Sequence, residues 1–403
     1  MTANRATTTD VPRDRDAARR FRVLAVCGSF APGFRGGGPI RSVARIVDTV
    51  SEHVDITLLT SDRDLGCRDP YPGLSGTWVN RDRTRVFYLN TGSLSQWLRL
   101  WRELRATPFD LLYVNSLWSP QFTQVPVLAV RLGLIRAGNV LVAPRGELSP
   151  GALALKSWKK RLFLKWWGPF LKRMGVIWHA TADKEASEIR AVCPWAHIEI
   201  NQNQVALPPE PLSPSGAYDG PPRLVFISRV SPKKNLDLVL QALNELSTRV
   251  ELDIYGPLED AAHWKHCEAI IRRLPASVRV RYRGEVSPED VRRTFHDYDA
   301  FVFPTRGENF GHVIAESLSA SCPVVCSDRT PWTEVLESGG GRVVRDLTAG
   351  ALAAELERIT AMTPDERLRA RCRAGETYRS WRRKTPDRNI LDLARQTLTS
   401  VAR

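Results

Sequence analysis

Two glutamates and two cations carry the sharpest chemical signal in this chain. Glu308 and Glu316 lie in Phe303-Pro-Thr-Arg-Gly-Glu-Asn-Phe-Gly-His-Val-Ile-Ala-Glu316. The pattern predicts a strand ending at Pro304, a short loop, and a helix opening near Phe310. Glu308 is then expected at the helix mouth, beside the free N–H groups of Asn309, Phe310 and Gly311. Helix N-termini of this kind hold phosphate through unpaired donors and the macrodipole. Carboxylates accept from hydroxyls, so one glutamate suits sugar hydroxyls and the other ribose hydroxyls, with phosphates between them. Taken alone, the pair fits a helix cap and a solvated face better than a ligand site.

The cations shift that balance. In Leu224-Val-Phe-Ile-Ser-Arg229-Val-Ser-Pro-Lys-Lys234-Asn-Leu-Asp, Arg229 follows a strand and Lys234 opens the next helix. Both are presented from the carboxyl edge of one sheet. Arginine bridges two phosphate oxygens with its fork, and lysine adds a point charge. A cation at a helix N-terminus is electrostatically disfavoured, which points to an anion bound there.

Weaker candidates surround this core. The loop Gly33-Phe-Arg-Gly-Gly37-Gly38 lets backbone approach a phosphate or an acceptor, or is simply flexible. It does not spell G-x-G-x-x-G, so a dinucleotide site is not supported. Arg145 and Glu147, in Pro144-Arg-Gly-Glu-Leu148, follow a strand end and are expected to face a ligand cleft. An intradomain ion pair is the alternative for them. Asp62-Arg-Asp64 and Asp297-Tyr-Asp299 have the form of metal-binding pairs, but Asp299 precedes a strand and so lies away from the ligand edge. A structural role is expected for both pairs, with no catalytic metal and no cofactor. His312 is read as packing.

The elements that must position these residues alternate strand and helix. Strands are predicted at Phe21–Cys27, Val54–Leu59, Leu111–Asn115, Val140–Ala143 and Val176–Ala180. After Leu207 the run PPEPLSPSGAYDGPP reads as a linker, and the alternation restarts at Leu224–Ser228. Further strands follow at Glu251–Tyr255, Val278–Tyr282, Ala300–Pro304 and Val324–Ser327. This is an α/β chain with two parallel sheets, each covered on both faces. The boundaries expected are a disordered tail at 1–20, a first Rossmann-like domain at 21–207, a linker at 208–222 and a second domain at 223–385. A final helix at 386–403 is expected to lean back on the first domain. Open parallel sheets bind ligands at the carboxyl ends of their strands, so two facing sheets make an interdomain cleft.

Composition bounds the function class. With 403 residues, 43% hydrophobic and 25% charged, the chain is an ordinary globular one with material for two cores. Lys plus Arg number 58 against 44 Asp plus Glu, a net charge of +14 that calls for an anionic partner. No helix-turn-helix, zinc-finger or RNA-binding signature appears, so nucleic acid is not expected. Seven scattered cysteines without a C-x-x-C pair fit reduced cytosolic thiols. The polar start lacks the apolar stretch of a signal peptide, and no apolar run nears the ~18–20 residues that span a bilayer.

Four ordered motifs then give a specific resemblance. S-R-x-x-x-K-K-N-x-D from Ser228, I-Y-G-P-x-E-D around Gly256, P-T-x-G-E-N-F-G-H-V-I-x-E from Pro304 and D-x-T-P-W from Asp328 resemble the donor half of glycosyltransferase family 4. Pro39-Ile-Arg-Ser-Val43, Val140-Leu-Val-Ala-Pro-Arg-Gly-Glu-Leu148 and His179-Ala-Thr-Ala-Asp-Lys-Glu185 extend the likeness to the N-terminal half. The resemblance implies a GT-B fold and a retaining enzyme with a Glu-x7-Glu signature at Glu308 and Glu316. It implies that Arg229 and Lys234 hold the donor diphosphate, that Glu308 meets the transferred sugar and that Glu316 meets the ribose. Asn309, Phe310, Gly311, Gly37, Gly38 and Gly256 complete the donor site, and Arg145, Glu147, Asn115 and Trp118 the acceptor side. Asn115 stands where relatives often carry histidine, and Ser228 where they carry glycine. The co-substrate implied is a nucleoside-diphosphate sugar, and the acceptor a glycan or lipid-linked glycan. An epimerase or hydrolase on the same fold, or a basic nucleic-acid- or membrane-binding protein without catalysis, is the alternative.

Residues 151–180 add one more partner. Lys156, Lys159, Lys160, Arg161, Lys165, Lys172 and Arg173 occur there with no acid, interleaved with aromatics. Leu155, Trp158, Leu162 and Trp166 fall on one helical stripe. The segment reads either as an amphipathic helix packed on its own sheet or as an interfacial helix on an anionic membrane. The second reading places a cytoplasmic protein peripherally on the inner face of the membrane.

Overall fold

The computed structural model describes residues 19–401 except 82, 155–156 and 386–387. Most of the expected tail therefore lies outside the described residues, as do Leu155 and Lys156 of the apolar and basic runs.

Eight strands build the first sheet: β1 Phe21–Cys27, β2 Val54–Ser61, β3 Trp78–Arg81, β4 Thr84–Leu89, β5 Pro108–Asn115, β6 Arg136–Ala143, β7 Ile177–Ala180 and β8 His197–Ile200. Their order is β3-β4-β2-β1-β5-β6-β7-β8, and all pair in parallel except β3 with β4. The central strand β1 is an almost unbroken apolar run because helices cover both of its faces. One face packs on the helices Leu94–Ala106, Val125–Arg131 and Ser157–Arg173. The other packs on the helix Gly38–Thr49. Ile390, Leu391 and Ala394 of the last helix, Ile390–Val401, join this second core, although the chain has passed through the other sheet in between. Asn389 donates to the carbonyl of Ile46 at 2.8 Å, and Ser51 N–H donates to Asp392 at 3.0 Å.

The second sheet has six parallel strands, β9 Arg223–Ile227, β10 Val250–Tyr255, β11 Val278–Tyr282, β12 Ala300–Phe303, β13 Val324–Ser327 and β14 Gly341–Val344. The order is β11-β10-β9-β12-β13-β14. β9 and β12 are adjacent in the middle, so the segments after Ile227 and after Phe303 emerge side by side. That adjacency brings Arg229 and Lys234 to Glu308.

Four strands escape the pattern reading. β3, β8 and β14 have four residues each and lie at sheet edges, too short for a period to register. β4 lies one place in from the edge and is defined by its register with β2.

The basic segment departs from its packed reading. Trp158, Leu162 and Trp166 are 66%, 52% and 75% exposed. Phe163, Leu164, Trp167 and Phe170, one residue on or between, pack against the core instead. The helix therefore has one apolar side buried and a second apolar side in water.

Candidate active site

The carboxyl ends of the two sheets face one another across a cleft with a cavity volume of about 270 Å³. Arg229, Lys234, Gly256, Glu308, Asn309, Phe310, Gly311 and Glu316 line it from the second sheet. Gly37, Gly38 and Arg145 line it from the first. Glu147, Asn115 and Trp118, expected on the acceptor side, do not line it. The Glu147 carboxylate turns inward to accept from Ser116 Oγ at 2.8 Å and Leu117 N–H at 2.5 Å, and burial pushes its pKa up. Trp118 packs edge-on to Phe163, with Lys160 Nζ 5.4 Å from the centre of its ring. Asn115 is buried and works at one remove, as an acceptor for Arg145.

The loop before Glu316 differs from the expected helix mouth. The helix runs His312–Ser319, with Gly311 as its N-cap at φ +82°, a left-handed conformation that favours glycine. Glu308 is thus four residues ahead of the helix. It is held by its N–H, which donates to Arg329 O at 3.1 Å, and by an ion pair with Lys234. Lys234 is likewise one residue before its N-cap, Asn235, which sits at φ +65°. The anion that explains a cation at this position is Glu308 itself. Lys234 is buried, and its ammonium also lies 5.2 Å from the Phe303 ring centre. Arg229 pairs with Glu259 at 2.5 Å. Gly256 is required by close approach, because a Cβ there would meet Ser228 O at 2.0 Å.

Residues that sequence reasoning passed over bridge the two halves. Arg41 pairs with Glu316 across the cleft. Arg35 pairs with Glu285 at 3.0 Å. Ser42 Oγ donates to Gly38 O at 3.0 Å, and so accepts from His312 Nε2–H at 2.9 Å. His312 is therefore more than packing. Desolvation, aided by Arg41 and Arg145, pushes its pKa down to about 3, so it stands neutral in the cleft. The signal for Arg41 was present in Pro39-Ile-Arg-Ser-Val43: it follows the glycines by one helical turn and so shares their face.

Three of the four aspartates in the two pairs have structural partners. Asp64 accepts from Phe34 and Arg35 N–H at 2.9 and 3.2 Å, fixing the glycine loop. Asp62 takes Arg63 and Ser75, and Asp299 takes Arg223 N–H at 2.8 Å.

Residues 212–377, which contain every second-sheet residue named above, match the family model of Glycosyl transferases group 1. This part of the chain is similar to the group 1 glycosyl transferases. A stretch of the chain is 32% identical over 122 residues to the O-antigen chain mannosyltransferase B of Escherichia coli, covering 29% of this chain and 31% of that one. Another is 26% identical over 190 residues to the phosphatidyl-myo-inositol mannosyltransferase of Mycobacterium leprae, covering 44% and 49%. The chain thus spans about a third to a half of the length of these curated relatives. Among solved structures, sucrose-phosphate synthase from Thermosynechococcus elongatus superposes with a TM-score of 0.71 at 14% identity, over 95% of this chain and 99% of that one. Anabaena HepE in complex with UDP and glucose gives 0.67 at 16%, over 95% and 100%. The chain has the GT-B fold, with two Rossmann-like parallel-sheet halves facing a cleft.

Proposed function

We infer that the protein is a retaining glycosyltransferase that moves a sugar from a nucleoside-diphosphate sugar to a hydroxyl acceptor without a metal. The observation that carries this reading is the charge of the cleft. Among the described residues, Arg35, Arg41, Arg145, Arg229, Lys233 and Lys234 line it against only Glu285, Glu308 and Glu316. A surplus of three positive charges beside two hydroxyl-accepting carboxylates suits a diphosphate carrying a sugar on one side and a ribose on the other.

In this reading Arg229 and Lys234 take the diphosphate. Lys234 leaves Glu308 as it does so, and freed Glu308 accepts from hydroxyls of the transferred sugar. Glu316 takes the ribose, and one of its oxygens, Oε2, is buried without a hydrogen-bond partner among the described residues. The bond between the sugar's anomeric carbon and the β-phosphate oxygen breaks, and the acceptor oxygen bonds to the same face. The acceptor proton passes to the leaving phosphate oxygen. Charge that gathers on the nucleoside diphosphate meets cations already in place.

The names of the relatives support a glycan acceptor carried on lipid, and the helix Ser157–Arg173 supports a way to reach it. Its water-facing side joins Trp158, Leu162 and Trp166 to Lys159, Arg161 and Lys165, the composition of an interfacial helix on an anionic leaflet. Among the described residues, no helix is long and apolar enough to cross a membrane.

Thermal shift against a nucleoside-diphosphate-sugar panel that includes GDP-mannose and UDP-glucose tests the donor. A ligand at 100 times its Kd is expected to stabilise the chain by about 2.7 kcal/mol. Product analysis with the donor so found then separates transfer from hydrolysis and epimerisation, and an inverted glycoside overturns the retaining mechanism.

A further inference from the structure

Most cations of the cleft stand opposite a glutamate that a ligand must displace: Arg41 with Glu316, Lys234 with Glu308, Arg35 with Glu285, and Arg229 with Glu259. Arg145 is built differently. Its Nε and Nη2 donate to Asn115 Oδ1 at 3.1 and 2.8 Å, Nη2 also donates to Tyr113 OH at 2.8 Å, and Nη1 donates to Asn203 Oδ1 at 2.7 Å. All three acceptors are neutral, and among the described residues no carboxylate pairs with the guanidinium. The nearby carboxylate of Glu185 is occupied by Gly146 N–H at 2.6 Å and by Thr181 N–H and Oγ, both at 2.7 Å.

The support extends inward, and each proton in it has a defined direction. His179 Nε2 faces the carbonyl of Asn201 at 2.9 Å, and a carbonyl only accepts, so Nε2 carries the hydrogen. Nδ1 then accepts from Tyr113 O–H at 3.1 Å, which leaves the phenol oxygen to accept from Arg145. His179 and Asn115 are buried, and burial with the nearby Arg145 charge pushes the His179 pKa down to about 3. The chain from Asn201 to Arg145 is therefore neutral up to the guanidinium. The backbone also marks the place: Arg145 holds φ +55° and Ser116 φ +101°, conformations that non-glycine residues adopt only where their surroundings impose them. A guanidinium fixed by neutral acceptors keeps its full charge and its remaining Nη1–H for a ligand, and needs no reorganisation to receive it.

We propose that Arg145 is a preformed phosphate receptor on the N-terminal wall of the cleft, with Tyr113, Asn115, Asn203 and His179 as its positioning residues. The proposal rests on the transferase reading for its substrates, and two of them can bring such a group: the donor's diphosphate, or a phosphate on the acceptor. Gly146 meets the opposite wall, since a Cβ there would lie 3.0 Å from Asn309 Cβ, so the receptor stands beside the donor loop rather than at the outer rim.

Isothermal titration of the full chain with nucleoside diphosphates, pyrophosphate and inorganic phosphate decides the matter, the last also in the presence of saturating nucleotide. The charge-assisted bond at stake corresponds to about tenfold or more in affinity. If Arg145→Gln weakens nucleoside diphosphate and pyrophosphate by that factor, the receptor serves the donor. If nucleotide affinity holds while inorganic phosphate binds the nucleotide-saturated wild type and is lost in Arg145→Gln, it serves the acceptor. In either case Arg145→Lys is expected to recover part of the loss, and Tyr113→Phe to reproduce part of it at an unchanged Tm. Unchanged affinity for all three probes in Arg145→Gln and Tyr113→Phe overturns the proposal. Arg229→Ala is the control: if it abolishes nucleotide binding while Arg145→Gln does nothing, the transferase reading stands and the receptor falls. If no nucleotide binds the wild type, the transferase reading falls and the phosphate titration alone judges Arg145.

Discussion

Arg41 and Glu316 join the two halves of the molecule: the guanidinium donates to Oε1 of the carboxylate, and Oε2 is left buried without a partner among the described residues. If the carboxylate is the ribose acceptor, Arg41 competes with the ligand for it. Arg41→Ala is expected to tighten ribonucleoside-diphosphate binding several-fold, and Glu316→Gln to weaken it by about 1–2 kcal/mol. Neither change should alter binding of the 2′,3′-dideoxy analogue. Equal effects on both nucleotides would remove the ribose from Glu316.

Glu308 and Lys234 are paired in the cleft, and Arg229 stands beside them on the same sheet edge. Glu308→Gln keeps the shape but removes the charge. It is expected to lower turnover by about 10²–10³, as are Arg229→Ala and Lys234→Ala, because each removes one preorganised electrostatic group. Steady-state kinetics with the cognate donor measure this, and wild-type turnover in both cation variants would end the donor-site assignment.

The metal prediction follows from the cations. In the proposed reaction, the three surplus positive charges lining the cleft would give the leaving diphosphate protein groups to neutralise it. Asp64, Asp62 and Asp299 are committed to backbone and side-chain donors. Transfer is expected to continue in excess EDTA. Complete loss, with recovery on adding Mn²⁺ or Mg²⁺, would show that a metal carries that charge instead.

The exposed side of the helix Ser157–Arg173 sets the membrane prediction. Each basic residue near an anionic surface adds about 1 kcal/mol, and Trp158 and Trp166 supply the apolar anchors. In flotation assays the protein is expected to rise with anionic vesicles and to remain behind with neutral ones. Lys159→Glu with Lys165→Glu should release it at an unchanged Tm. A wild type that stays in solution with anionic lipid at low salt would favour a soluble acceptor.

Two buried histidines give stability a pH dependence with a definite sign. His179 and His312 have folded pKa values pushed down to about 3, mainly by desolvation. The unfolded chain takes up a proton on each near pH 6.5, so below that value it binds protons that the folded chain refuses. Folding stability is expected to fall between pH 6.5 and 5 by about 1.4 kcal/mol per pH unit for each histidine. Urea unfolding at several pH values measures the slope, and His312→Gln should flatten it. A wild-type curve flat across that range would contradict the assignment.

What could be read from the chain alone was local. β1, β9 and β12 announce themselves as apolar runs, because a strand buried on both faces needs no partner to be recognised. The runs of β6, β9 and β12 place Arg145, Arg229 and Glu308 just past strand ends, with Lys234 at the opening of the next helix, and so on the ligand edge. Two details within a few residues were still misplaced. The helix opens at His312 rather than near Phe310 because Gly311 takes a left-handed conformation, and Glu147 turns inward to the Ser116–Leu117 turn rather than to the cleft. Tertiary structure decided everything that depends on chain segments meeting. Arg41 is 275 residues from Glu316, Ser42 is 270 from His312, and Lys234 is 74 from Glu308. The exposed side of the helix Ser157–Arg173 was also settled there, since its apolar residues surround it and only contact with the sheet selects Phe163, Trp167 and Phe170 for burial. Side-chain type and strand period are properties of neighbouring residues, whereas which charge neutralises which is a property of distance in space.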